Sequence, residues 1–186
     1  MKTKQMAMMI ATILIIVAIV GCASTGKNGV SKTTDGVRQP DWVTETPSET
    51  GDTMFFVAPG GKDGTLTVKS LRAQSIASNE LAIYINSKTD SLMKNYIESA
   101  GETNNLQSLE SLRVGIRNRA IANTSGFKRE KQWVSADGEY YGLYSYKKPV
   151  FKGDIRAEVD SFKEKAGAAA ANFKSDKFFE EMDKDI

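Results

Sequence analysis

The sequence predicts an α+β fold: a three-stranded antiparallel sheet in β-α-β-β order, packed on a long helix, with a further helix towards the C-terminus. Three observations carry this. Apolar residues recur with helical spacing over residues 66–97, an Asp-Gly pair at 137–138 sits between two strand-like runs, and a short apolar run, Met54-Phe55-Phe56-Val57-Ala58, precedes the helix. Apolar residues three and four apart mark one face of a helix, whereas alternation marks a half-buried strand. A sheet and a helix that each have one apolar face close a core by packing on each other.

The elements follow in order. Pro40-Asp41-Trp42-Val43 opens the ordered region, and residues 47–52 are turn-like. The apolar run at 54–58 reads as a strand ended by Pro59-Gly60-Gly61, with a polar loop over 62–65. In the long helix, Ala73, Ala77, Leu81, Tyr84, Ile85, Leu92 and Tyr96 recur at three- and four-residue steps. The small side chains at 73 and 77 let that face lie close against a sheet. Gly101 interrupts, and Leu106, Leu109, Leu112 and Ile116 carry a second helical stripe. Strands return near Ile121. Residues 127–134 and 139–146 flank Ala136-Asp137-Gly138, and Asp-Gly is a strong hairpin signal because both residues accept positive φ. Along the second of these strands Tyr140, Tyr144 and Tyr146 share one face, and Tyr141 and Leu143 the other. Pro149 ends the run. Asp154 is placed to cap a last helix whose apolar side carries Ile155, Val159, Phe162, Ala166 and Phe173. Residues 175–186, with Phe178, Phe179 and Met182, add a helical turn or two.

The N-terminal end has a different character. Lys2 and Lys4 precede an uncharged apolar run over residues 7–20, followed by Gly21 and Cys22. This is the order of a secretory signal: basic, apolar, then small residues at a cleavage site. Fourteen residues of helix cover about 21 Å, short of the roughly 30 Å hydrocarbon core, so a signal is favoured over a permanent span. Ile19-Val20-Gly21-Cys22 resembles a bacterial lipobox, in which the Cys sulfur takes a diacylglycerol and a signal peptidase cuts just before it. That resemblance makes Cys22 the lipid attachment site and the membrane a partner. Two or more acyl chains anchor stably where one is marginal. Ala23 follows the cysteine in place of the Asp that retains enteric lipoproteins at the inner membrane, so the resemblance points to the outer membrane.

Four segments result: a signal peptide at 1–21, a lipidated Cys with a flexible tether at 22–39, an α+β domain at 40–150, and a C-terminal helical extension at 151–186. The tether is small, polar and glycine-bearing. It reaches about 20–25 Å on average and roughly 55 Å at full stretch.

Removing the signal removes Lys2 and Lys4, so 23 basic side chains balance 23 acidic ones. A neutral chain lacks the basic excess of nucleic-acid binders. Its length suits one domain with a real core. There is no histidine, which excludes Ser-His-Asp and Cys-His catalysis, His-ligated zinc and His-held haem. Cys22 is the single cysteine, so no disulfide forms within the chain. No cofactor is expected.

Four pieces in order resemble the lipoprotein-20 family of bacterial envelope proteins. They are the lipobox at Cys22, the Pro-x-Trp-Val entry at Pro40 to Val43, the helix segment Leu71-Arg72-Ala73-Gln74-Ser75-Ile76-Ala77-Ser78-Asn79-Glu80-Leu81-Ala82, and the hairpin Trp133-Val134-Ser135-Ala136-Asp137-Gly138-Glu139-Tyr140-Tyr141. The resemblance covers residues 40–147. Pro59 stands where the family pattern runs through Val-Gly, and the helix carries fewer alanines than usual. The resemblance implies a dodecin-like β-α-β-β fold, an envelope location and no catalytic activity, and it carries over no site except Cys22.

Other features bear on function. Gly60-Gly61 ahead of a helix is a place where phosphate can sit, but no G-x-G-x-x-G or Walker lysine accompanies it, and turn glycine is the simpler reading. Lys128, Arg129 and Lys131, and Arg113, Arg117 and Arg119, suit an anionic glycan, headgroup or acidic partner, or more simply solvated faces. Tyr140, Tyr144 and Tyr146 are candidates for a protein interface if exposed and for core packing if covered. Phe178 and Phe179 are candidates for a docking stub or for packing on the same chain. Trp42 reads as a plug for one end of the core. The expectation is a non-enzymatic, lipid-anchored module at the outer membrane that binds an envelope protein or itself. The rival is a lipoprotein holding a small molecule or cell-wall glycan in a helix–sheet crevice. An enzyme would need a Ser-Lys or carboxylate set converging with shifted pKa values.

Overall fold

The computed structural model describes residues 38–102 and 105–186, so the segment read as a signal peptide, Cys22 and nearly all of the segment read as a tether lie outside the described residues. The elements are α1 (Asp41–Thr44), β1 (Thr53–Gly61), α2 (Leu66–Ala100), α3 (Leu106–Ala122), β2 (Phe127–Val134), β3 (Tyr140–Lys147), α4 (Lys148–Ala166), a 3-10 turn (Gly167–Ala170) and α5 (Ser175–Asp185). The sheet has the order β1-β3-β2, and both pairs are antiparallel. The mixed architecture with a three-stranded antiparallel sheet and a long helix is therefore present.

The long helix has defined ends. Thr65 caps its start, its hydroxyl accepting from the Val68 N–H at 3.4 Å. Gly101 ends it in the left-handed region at φ 66°, its N–H donating to the Ile97 carbonyl. Thirty-five residues make a rod of about 52 Å.

Two apolar clusters sit on this rod. Near its N-terminal half, Ala73 and Ala77 are fully buried against Ala58, Tyr140 and Tyr144 of the sheet. Their small side chains let the helix approach the strands closely, as their spacing predicts. Gly60 takes this furthest: a Cβ there would lie 2.2 Å from the Lys69 carbonyl oxygen. Along the C-terminal half, Ile85, Leu92 and Tyr96 pack with Leu112 and Ile116 of α3, Phe151 and Ile155 of α4, and Phe178 and Met182 of α5. All nine are 1% exposed or less.

The hairpin closes at Ser135-Ala136-Asp137-Gly138, with the Gly138 N–H donating to Ser135 O at 2.9 Å and the Ser135 N–H to Glu139 O at 2.8 Å. Gly138 takes the positive φ, 84°. This is a type I-like turn followed by a left-handed residue, the common three-residue hairpin loop. Edge strand β2 protects itself with Lys128, Arg129, Glu130 and Lys131 and a register shift between Arg129 and Lys131.

Several expectations need correction. The strand expected to begin near Ile121 starts at Phe127, because α3 continues to Ala122 and Asn123 caps it. β1 runs through Pro59 to Gly61, with a register shift there. Pro59 is tolerated because β1 is an edge strand. Asp154 does not cap the last helix. That helix begins at Lys148, with Pro149 in its first turn where a missing N–H costs nothing. Residues 175–185 form a full helix packed on α2. Trp42 is half-buried on α1, which packs against β3, and it belongs to neither apolar cluster.

Candidate functional site

The tyrosine face is covered. Tyr140, Tyr144 and Tyr146 are 0%, 2% and 0% exposed, so they build the core and offer no interface. Alternation in β3 puts them on one side, and α2 lies on that side. Phe127 stacks on Tyr144 with ring centres 5.4 Å apart. Burial pushes the Tyr144 and Tyr146 phenols up to about 12. Phe178 is likewise in the core and is no docking stub. Its ring meets Tyr96 at 5.3 Å and Phe173 at 5.4 Å. Phe179 is half-buried, with the Arg156 guanidinium 4.6 Å above its ring.

The basic clusters are largely engaged within the chain. Arg113 donates to Asp90 at 3.1 Å and to Glu110 at 2.5 Å, and Arg117 also bonds Asp90. Arg119 meets Glu158 at 2.9 Å, and Lys128 meets Glu130 at 3.0 Å. Arg129 bridges Ser70 and the Tyr140 hydroxyl. The Arg113–Asp90, Arg117–Asp90, Arg119–Glu158 and Arg129–Ser70 contacts tie helix to helix and strand to helix, whereas Arg113–Glu110 lies within α3 and Lys128–Glu130 within β2.

Among the described residues, concavities at two places are announced by no sequence motif. The first is a cavity of about 340 Å³ between the C-terminal half of α2 and the start of α3. Met93, Ile97, Leu106 and Leu109 line it with apolar surface, and Asp90, Lys94, Glu98, Glu110 and Arg113 form a charged rim. Leu106 is 54% exposed at its mouth. Such a site accepts an alkyl or aromatic group and orients it by the rim.

The second is a shallow polar groove of about 670 Å³ between α3 and α4. Asn118, Arg119 and Asn123 come from α3 and its cap, and Asp154 and Glu158 from α4, one helical turn apart. Asp154 is 8% exposed, and both its oxygens accept from the Asn123 amide, at 2.9 and 3.1 Å. Burial raises its pKa, and the Asn123 bond and Arg119 pull the other way. Asn123 also accepts the Ser125 N–H at 3.2 Å, so this cluster clamps the α3–β2 turn to α4. The groove can hydrogen-bond a polar ligand. Among the described residues, no group of three or more His, Cys, Asp and Glu side chains is placed to hold a metal ion.

Compared with protein-family models, curated proteins and solved structures, the chain matches none.

Proposed function

We propose that this chain is a lipid-anchored protein of the bacterial envelope whose folded region acts, without catalysis, as a protein-interaction or assembly module at the outer membrane. The observation that carries the reading is Cys22, the single cysteine, at the end of a short apolar run that follows Lys2 and Lys4. The resemblance to the lipoprotein-20 family supports it, and the three-stranded antiparallel sheet on a long helix is compatible with the dodecin-like fold that resemblance implies. Among the described residues, no helix is long and apolar enough to cross a membrane. The apolar, charge-rimmed cavity between α2 and α3 is of a kind that seats a partner's side chain.

Intact-mass measurement of the native protein tests the anchor. The expected species begins at an acylated Cys22, and Cys22→Ser should lose the lipid and leave the membrane fraction. A chain that starts at Met1, or a free thiol at position 22, refutes it. Crosslinking in intact cells, followed by identification of co-purifying proteins, tests the module.

A second reading has one observation in its favour. The α3–α4 groove has the polar lining that a small-molecule or cell-wall glycan binder needs, although it lies between helices and not in the helix–sheet crevice. Titration with soluble glycan fragments, read by chemical shifts at Asn118, Asn123 and Asp154, separates the two readings.

A further inference from the structure

We infer that the open edge of β1 pairs antiparallel with β1 of a second copy of this chain, about a two-fold axis at Phe56. The inference deepens the interaction-module reading and rests on it for its biological setting. Successive residues of an antiparallel strand turn their N–H and C=O groups alternately to one side and to the other. Two bonds fix that alternation here. The Thr53 N–H donates to Thr50 O at 2.8 Å, and Lys147, which faces Thr53 across the sheet, donates its N–H to Gly126 O at 3.3 Å on the β2 side. The Thr53–Lys147 pair therefore exchanges no backbone bond. Met54, Phe56 and Ala58 bond β3, while Thr53, Phe55, Val57 and Pro59 turn their backbone groups outward. Thr50 satisfies Thr53, and Pro59 has no N–H. Phe55 and Val57 are left, and among the described residues no backbone bond reaches their outward N–H and C=O groups.

Those groups specify their occupant, because a row of alternating donors and acceptors is matched by another strand. β1 itself has the fitting register. With the axis at Phe56, Phe55 faces Val57 of the second copy. The Phe55 N–H then donates to the Val57 carbonyl and the Val57 N–H to the Phe55 carbonyl, and each bond occurs twice, as a closed two-fold interface requires. One step further out, Thr53, whose bonds are already made, faces Pro59, which has no donor to offer. No N–H is stranded at either end. The side chains centre on the same residue: Phe55, Phe56 and Val57 are half-buried, between the buried Met54 and Ala58. β1 carries no charged residue, so it meets its own copy without repulsion, whereas β2 guards the other edge with charges and a register shift.

The test uses the full chain extracted with its anchor in detergent. Sedimentation should give a dimer. Amide exchange at Phe55 and Val57 should slow by about tenfold or more from dilute to concentrated samples, while Met54, Phe56 and Ala58 stay protected in both. Val57→Pro removes an outward N–H and keeps the β3 ladder, so it should give a monomer with the far-UV spectrum of the wild type. A monomeric wild type overturns the inference. So does a dimer whose Phe55 and Val57 amides exchange as fast as in the dilute chain, or a Val57→Pro chain that stays dimeric. The exchange comparison uses the wild type and decides the matter even if the variant does not fold. Thiol pairing reads the register. Phe56→Cys should oxidise to a dimer faster than Phe55→Cys or Val57→Cys, with the wild type reporting any bond through Cys22, and faster bonding at 55 or 57 overturns the axis. Acylation of Cys22 is read by mass on the same samples. A monomer with acylated Cys22 therefore sinks the pairing alone, and a dimer with an unmodified thiol sinks the anchor alone.

Discussion

Adding one methyl group at Gly60 and at Gly153 should move stability in opposite directions. At Gly60 the new carbon would sit 2.2 Å from the Lys69 carbonyl oxygen and 2.8 Å from the Tyr140 ring, where ordinary contact begins near 3.4 Å. The obstructing atom is backbone, so no side chain can swing aside, and β1 and α2 must part by about 1 Å. Overpacking of this kind costs about 1–3 kcal/mol, and the upper end fits a backbone obstruction. For a chain of this size each kcal/mol shifts the midpoint by about 2–4 °C, so Gly60→Ala should lower Tm by about 6–12 °C. Gly153 lies inside α4, exposed, with nothing within 4 Å of a new Cβ. Alanine there gains about 0.8–1 kcal/mol of helix preference, a rise of about 2–4 °C. Thermal and urea unfolding of the full chain by circular dichroism reads both. A Gly60→Ala chain as stable as the wild type would mean that strand and helix are not in close contact.

Phe178→Ala should cost about 3–5 kcal/mol, because its ring is fully buried among Tyr96 and Phe173. Phe179→Ala should cost about 1 kcal/mol or less, and equal losses by urea unfolding would refute the docking of α5 on α2. Asp154 supplies a pH dependence. Burial raises its folded pKa, so the folded state favours the protonated acid. Its contribution to stability is greatest below the unfolded value of about 3.9 and is lost as pH rises through the higher folded value. Asp154→Asn should flatten the fall in urea midpoint across that window, and parallel pH profiles would show that Asp154 is not the cause.

The sheet is legible in the sequence because its signals are local. An Asp-Gly turn between alternating aromatics specifies a hairpin, and Ala73 and Ala77 announce a close helix–sheet approach through their size and spacing alone. Ile121 misleads because a β-branched residue resembles the start of a strand, while its place at the end of α3 is set by the burial of the preceding residues Ile116 and Ala120. Asp154 misleads for a related reason. A cap is read from a residue followed by helix, yet this carboxylate is satisfied by Asn123, thirty-one positions away in the chain. The fate of the tyrosines shows the limit of periodicity. Alternation sorts Tyr140, Tyr144 and Tyr146 onto one face but does not say what covers it.

The long rod has a mechanical consequence. Sheet and helical cluster share one continuous backbone from Leu66 to Ala100 and have no separate footing. Neither can be pried loose without unwinding the spine on which the other stands. The two halves should melt in a single step, and a pull at the hairpin tip is transmitted along a stiff strut to the far end of the fold.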